Sequence, residues 1–329
     1  MYYINIIESG AVFQRQLDQR LYPEYCFHFN SREDRVWDMV VLYENVYEIF
    51  NLKCKMGGRV FISGEPPIVK CYSPGFLDQF DWIISAHDIK RKNHIRSQQA
   101  LPWYFGYDYD LKKSTYSFEE IASMDKPVKN NRISCVVSNR SFLPGHIERI
   151  KFVEALMKRY ENEIDFYGKG IRPIPDKSIA LLSYPFTIAI ENSSIDDYWS
   201  EKIADAYLAY SIPIYYGCQN ITHYFDHRSM VRVDIKDMKN SFLQIDRILD
   251  SINDFYNERF AFLCTARNAL LYEYNLFPTL ISFHKRLRQS NETVLFSILP
   301  YSEYKECWRE KTLKFYRMYQ KLLFKCRIH

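Results

Sequence analysis

The feature that most constrains this chain is a recurring alternation. Short apolar runs, bounded by Gly, Pro or polar residues, are separated by segments with helical spacing. "VWDMVVLY" (36–43), "GRVFISGEPP" (58–67) and "FDWIISAH" (80–87) are the runs of the first third. Continuous runs of this length suit parallel strands covered on both faces. The pattern stops in "MDKPVKNNR" (124–132), a polar stretch with Pro and no apolar period, which reads as a link between domains. It then restarts with "ISCVVS" (133–138), "EIDFYGKG" (163–170), "FTIAIEN" (186–192), "IPIYYG" (212–217) and "MVRVDI" (230–235). "HIERIKFVEALMKRY" (146–160) places Ile150, Val153, Leu156 and Met157 on one helical face. A second helix is expected from about Asp197 to Tyr210, with Trp199, Ile203, Ala206, Tyr207 and Tyr210 toward the core. Strand–helix alternation on both sides of a link predicts two open α/β domains, each on a mainly parallel sheet. The expected bounds are 1–125, a link at 126–132, a second domain at 133–290 and a basic helical tail at 291–329.

The 329 residues, 47% hydrophobic and 26% charged, suffice for two cores. A net charge of +4 is too small to indicate nucleic acid, and no such partner is expected, although an anionic ligand fits. The eight Cys are scattered without a CxxC pair, so reduced thiols are expected in place of a disulfide scaffold or zinc site. "MYYINIIESG" lacks the basic region and cleavage site of a signal peptide. No apolar run reaches the roughly 18 residues that span a bilayer. A cytoplasmic protein is therefore expected.

"ENSSIDDYWSEKIADAYLAYSIPIYYG" (191–217) carries the chemistry. A strand delivers Glu191 and Asn192 to its carboxyl end, a polar loop follows, and a helix begins near Tyr198 with Glu201 and Lys202 in its first turn. Open α/β sheets bind ligands beyond the carboxyl ends of their strands, often against a helix N-terminus. The helix dipole and Lys202 both attract an anion there. Glu201 is at home beside a phosphate only if it accepts hydrogen bonds from sugar hydroxyls. Phosphate and ribose together signify a nucleotide.

Glu191-Asn192, Tyr198-Trp199-Ser200-Glu201-Lys202 and Pro213-Ile214-Tyr215-Tyr216-Gly217 follow the pattern E-N-x(5)-Y-x-[ST]-E-K with a later P-x-x-x-G. This pattern resembles the α-1,3/4-fucosyltransferases of glycosyltransferase family 10, which usually have Thr where Ser200 stands. "VVSNRSFLPGHIERIKF" resembles the family's strand, Ser-Asn turn and helix-borne Arg, which assigns Arg149 to the donor pyrophosphate and adds Ser138 and Asn139 as further donor candidates. "FISGEPP" resembles the Gly-Glu element that carries the family's proposed base, here Glu65, though Pro66-Pro67 departs from the best-known bacterial form. The resemblance implies a GT-B fold of two Rossmann-like α/β domains with a facing cleft. It also implies donor-site roles for Arg149, Asn192, Tyr198, Glu201 and Lys202, and leaves Glu191 open between a donor contact and orienting the loop through backbone amides. The implied reaction moves L-fucose from GDP-β-L-fucose to a glycan hydroxyl with inversion, with no cofactor and no essential metal. The alternatives are transfer of another GDP-linked deoxysugar, or sugar-nucleotide binding without catalysis.

Taken singly, these residues have plainer readings. Glu201-Lys202 can be a solvated helix start, Arg149 a surface residue, Glu65 a strand end, Asn192 a loop cap and Tyr198 a packing residue. Their collinear order favours the nucleotide site. "DYD" at Asp108–Asp110 is a rival, because Asp-x-Asp holds a divalent metal in other glycosyltransferases. In the tail, Trp308, Phe315, Tyr316, Tyr319, Leu322, Leu323 and Cys326 form one helical stripe, and Arg309, Lys314, Arg317, Lys321 and Lys325 cover the rest. Such a helix either lies on an anionic membrane surface, which suits a lipid-linked acceptor, or packs on its own protein.

Overall fold

The computed structural model of the protein describes residues 1–10, 12–137, 144–287, 290–308, 311–316 and 318–319, with backbone only at 144–146. The chain forms two compact units, Met1–Leu101 with Leu276–His329, and Pro102–Asn275.

The first unit is built on a parallel sheet in the order Tyr25–Phe29, Tyr2–Glu8, Met39–Tyr43, Arg59–Ile62, Trp82–Ser85 and His94–Arg96. Successive residues of a strand point to opposite faces, so each run feeds two cores. Met39, Val41, Val60, Ile62 and Ile84 join one cluster, while Val40, Leu42, Phe61 and Ile83 join the other. The helix Leu276–Arg286 covers the first face through Leu276, Phe277, Leu280 and Phe283. Phe76, Leu77 and Phe80 cover the second, together with Phe50, Leu52 and Ile298 of a three-stranded sheet formed by Thr293–Ile298, Phe50–Lys55 and Val36–Trp37.

The second unit has a parallel sheet in the order Ile164–Tyr167, Ile133–Val136, Phe186–Ile190, Ile212–Tyr216 and Val231–Arg232. Its first strand in sequence lies between the second and the third, so strand order reverses between Ile133–Val136 and Phe186–Ile190. That is the switch point at which open α/β sheets hold ligands. Phe152, Val153 and Leu156 of the helix Pro144–Arg159 and Leu263, Leu270 and Leu271 of Ile252–Tyr272 belong to the unit's core.

Both units are thus α/β with parallel sheets, as the strand runs predict. The details differ in four places. Within 1–101 the α-helix among described residues is the short Pro74–Leu77, and much of the connection between strands is made by loops and 3₁₀ turns. The edge strand Tyr25–Phe29 and its neighbour Tyr2–Glu8 were absent from the expected set, as was Thr293–Ile298, a strand within the stretch expected as a helical tail. The chain passes between units at 101/102 and again at 275/276, so 102–125 and the expected link 126–132 lie inside the second unit, and 276–290 inside the first. The physical reason is packing. Trp103, Phe105, Phe118 and Ile121 are buried in the second core, and Lys129 donates to the carbonyls of Leu182 and Ala209 at 2.7 and 2.8 Å. Lastly, the helix expected from Asp197 runs Glu201–Leu208, because Asp197 sits at φ +62° and Ser200 takes the cap.

Candidate functional site

The strand Phe186–Ile190 is buried on both faces and releases its chain at Glu191. The Glu191 carboxylate is fully buried and accepts from the Ser200 amide and hydroxyl, each at 2.8 Å to Oε1. Lys202 Nζ donates to its Oε2 at 3.1 Å. A buried carboxylate needs such partners, since an unpaired charge in the interior is very costly. The loop between is fastened elsewhere too. Asp197 Oδ1 accepts from Asn220 Nδ2 at 2.8 Å and the Tyr224 hydroxyl at 2.6 Å, and the Asp197 amide donates to Asn220 Oδ1 at 2.8 Å. Ser194 Oγ donates to the Gly217 carbonyl at 2.9 Å. Strand end, loop and helix start therefore form one tied structure, with Tyr198 and Trp199 buried beneath it.

Ser200 caps the helix by accepting from the Lys202 amide at 3.4 Å, the role for which a hydroxyl is preferred at this position. Lys202 Nζ is 3.3 Å from Glu201 Oε1, and Lys177 Nζ is 3.8 Å from the same oxygen. Burial pushes the Glu201 carboxyl up, but the Lys202 and Lys177 ammoniums and the Ser200 bond outweigh it and bring it to about 2. Burial opposes charge on Lys202 as well, yet Glu191 and Glu201 hold its ammonium above the usual lysine range. Arg149 and Lys177 act on Lys202 in the opposite sense. The site thus gathers cations from three separate parts of the unit.

Arg149 lies in the second turn of Pro144–Arg159, the helix that follows strand Ile133–Val136, and is 7% exposed. Burial pushes the Cys135 thiol of that strand up to about 12, with Arg149 pulling the other way. The guanidinium is therefore electrostatically felt both at this strand and at Lys202, on the two sides of the switch point. Asn192, half-buried, follows Glu191 at the end of the neighbouring strand. So Arg149, Glu191, Asn192, Tyr198, Glu201 and Lys202 all belong to the second unit. Ser138 and Asn139 lie outside the described residues.

Glu65 belongs to the first unit, in the turn after Arg59–Ile62, and is exposed. Its backbone is held firmly. The Glu65 amide donates to Glu44 Oε1 at 2.7 Å, and its carbonyl lies 2.8 Å from His87 Nε2 and accepts from Ser63 Oγ at 3.1 Å. Glu44 also accepts from the Tyr72 hydroxyl at 2.8 Å and from Lys70 Nζ at 3.1 Å. Burial, then Glu44, pushes the Tyr72 phenol well above its ordinary range.

Three residues here escaped sequence reasoning: Lys177, Asp205 and Glu44. Lys177 stands in "PDKSIA" with no motif around it. Asp205 left a faint signal as a carboxylate among the apolar residues of a helix, in the stretch "IADAYLA". Of the remaining candidates, Asp108 Oδ1 accepts from the amides of Asp110 and Leu111, each at 2.9 Å, closing the turn between Tyr107–Asp108 and Lys113–Ser114. Among the described residues no group of three His, Cys, Asp or Glu is placed to hold a metal, and no helix is long and apolar enough to cross a membrane. In the tail, Trp308 and 311–316 are helical, and Trp308, Phe315 and Tyr319 are exposed. Arg309, Arg317, Lys321, Leu322, Leu323, Lys325 and Cys326 lie outside the described residues.

Comparison with known proteins places this geometry in context. The family model described as "Glycosyltransferase family 10 (fucosyltransferase) C-term" matches residues 126–276. An alpha-(1,3)-fucosyltransferase FucT of Helicobacter pylori is 30% identical over 170 residues, covering 47% of this chain and 32% of that protein. A putative fucosyltransferase-like protein of Arabidopsis thaliana is 38% identical over 79 residues, 23% of this chain and 15% of that protein. The matches therefore span a third or less of these relatives' lengths. Among solved structures, an alpha1,3-fucosyltransferase with GDP-fucose aligns with TM-score 0.48 and 21% identity, over 84% of this chain and 93% of that one.

Proposed function

We infer that this chain, whose residues 126–276 match the glycosyltransferase family 10 model, is an inverting glycosyltransferase that moves L-fucose from GDP-β-L-fucose to a glycan hydroxyl. What supports this reading is that Arg149 and the Glu201–Lys202 pair follow two strands adjacent at one switch point, with the Arg149 charge felt at Lys202. Arg149 is suited to the donor diphosphate, because a planar guanidinium grips two oxygens at once. Lys202, held charged by Glu191 and Glu201 against its burial, would add a second cation as GDP departs. Glu201 would accept hydrogen bonds from sugar hydroxyls, with Asn192 on the same surface and the buried Tyr198 supporting it from within. The reading resembles that of the relative named as an alpha-(1,3)-fucosyltransferase.

Chemically, an acceptor hydroxyl attacks the anomeric carbon through an oxocarbenium-like transition state while GDP leaves from the opposite face. Glu65 is the proposed base: its carboxylate takes the hydroxyl proton as the new glycosidic bond forms. Arg149 and Lys202 supply positive charge to the leaving group, so transfer is expected to persist after chelation. The acceptor is proposed to be a glycan, lipid-linked if the exposed tail helix touches an anionic membrane on the cytoplasmic side.

The deciding experiment has two arms. GDP should protect the protein against thermal unfolding, by about 2.7 kcal/mol at one hundred times its dissociation constant. Glu65→Gln should then lower fucose transfer about 10²–10⁴-fold and leave GDP protection unchanged. No protection by GDP would end the donor-site reading, and normal transfer by the Gln variant would remove Glu65 from the chemistry. Protection without transfer to any acceptor would favour a binding protein, and transfer from a different GDP-deoxysugar would reassign the donor.

A further inference from the structure

Lys177 opens the short 3₁₀ turn Lys177–Ala180, capped by Asp176. Its Nζ lies 2.7 Å from Asp205 Oδ2 and 3.8 Å from Glu201 Oε1. Asp205 is itself immobilised. Its side chain is 2% exposed, and Oδ1 accepts from the amides of Tyr104 and Phe105 at 2.8 and 2.9 Å. Asp205 lies one helical turn after Glu201, so both carboxylates face the same side of Glu201–Leu208. The Tyr104 ring lies 5.6 Å from the Lys177 ammonium. Lys177 is therefore fixed on one side by a carboxylate that two backbone amides hold in place. Its remaining charge falls on the Glu201 oxygen that also meets Lys202 at 3.3 Å.

We propose that Lys177 is a positioning residue, holding the Glu201 carboxylate in one orientation for the sugar hydroxyls of the donor. The proposal rests on the donor-site reading above and deepens it. A rival role is direct contact with the diphosphate, as a third cation beside Arg149 and Lys202. Geometry favours action through Glu201, because the short bond of Lys177 is to Asp205 and not to an open position. Electrostatics agree. Burial works against the Lys177 charge, and Asp205 and Glu201 outweigh it and hold the ammonium above the usual lysine range.

The test is a double-mutant cycle read by calorimetry with GDP-fucose. K177M and E201Q should each weaken binding about tenfold, while K177M/E201Q should be within about twofold of E201Q alone. Additive losses would assign Lys177 its own donor contact and overturn the proposal, as would wild-type affinity in K177M. K177R should retain most of the affinity, since it restores the charge.

Because K177M leaves Asp205 without its cation, K177M/D205N is measured beside it. The Asn side-chain oxygen can still accept from the Tyr104 and Phe105 amides, so melting should return toward wild type while the affinity loss persists. Affinity recovering together with melting would make the effect one of folding alone, against the proposal. A ligand-free arm follows the Glu201 carboxyl carbon by NMR, assigned with E201Q. Its titration midpoint should rise by about one unit or more in K177M, as expected on losing a nearby opposite charge. An unmoved midpoint overturns the proposal. A raised midpoint in a protein that never binds GDP-fucose would leave the pairing standing and remove only the donor-site reading.

Discussion

Gly217 lies so close to Glu191 that a Cβ built on it would stand 2.4 Å from the Glu191 Cγ and 2.6 Å from the Tyr215 hydroxyl. The last residue of the P-x-x-x-G element is therefore glycine for space. Glu191, in turn, cannot yield easily, because Ser200 and Lys202 hold its carboxylate. The relationship explains why a glycine about 90 Å of extended chain away belongs to the same motif as the Glu-Asn pair.

Gly217→Ala should accordingly destabilise the second unit by about 1–3 kcal/mol, the usual cost of overpacking a filled site. Urea unfolding followed by circular dichroism measures this. GDP affinity should fall as well, since the displaced Glu191 is the partner of Lys202. A variant with wild-type stability and affinity would show that the contact relaxes at no cost.

Lys202→Ala should weaken GDP binding and also lower stability. The second effect follows from the fully buried Glu191 side chain, which would lose its cation. The loss should be smaller than the about 3–5 kcal/mol typical of breaking a fully buried pair, because Lys202 still reaches solvent. Lys202→Ala/Glu191→Gln should recover much of the stability and none of the GDP affinity. Denaturation and calorimetry on the two variants separate the roles.

Acid should act on Glu201. Its folded carboxyl titrates at about 2 against an ordinary value of 4.5, held down against burial by Lys202 and Lys177. A depressed carboxyl contributes stability that is fully present above the unfolded value and lost as pH falls through the folded one. Between pH 4.5 and 2 the wild type should thus lose stability with a contribution of up to about 1.4 kcal/mol per unit from this group. Glu201→Gln should flatten that part of the profile. Identical slopes for the two proteins would contradict the clamp.

Glu44→Ala should impair transfer through Glu65 without touching the nucleotide. It removes the acceptor of the Glu65 amide, and with it the partner of Tyr72 and Lys70. A turn that shifts by about 1 Å can cost up to roughly 10²-fold in rate. Turnover should fall toward that limit, with GDP affinity unchanged. Steady-state kinetics beside calorimetry distinguish this from unfolding, which would lower both together.

Much of the architecture was legible because parallel strands announce themselves as apolar runs. "FTIAI" and "IPIYY" are buried on nearly every residue, and their shortness and β-branched residues favour strands over buried helix. The first two strands were harder. Tyr2–Glu8 and Tyr25–Phe29 mix Asn5, His28 and several Tyr into their runs, so their membership depends on neighbours the sequence does not display. Helix Leu276–Arg286 has a clear apolar face, yet only packing shows that Leu276 and Phe277 cover the first sheet instead of extending the second unit.

The site divides in the same way. Sequence by itself determined that Glu191, Asn192, Glu201 and Lys202 cluster at a strand end and helix start, because they lie within one strand–loop–helix segment and short range fixes their proximity. It also determined that Arg149 rides on a helix following a neighbouring strand run. Tertiary structure decided that those two strands are adjacent at the switch point, that Gly217 closes on Glu191, and that Asp205 bridges Lys177 to the amides of Tyr104 and Phe105. The reason is physical. Local geometry follows from dihedral preference and apolar period, whereas a buried ion pair between Lys177 and Asp205 is specified by desolvation and mutual compensation, which exist only once the chain has folded around both charges.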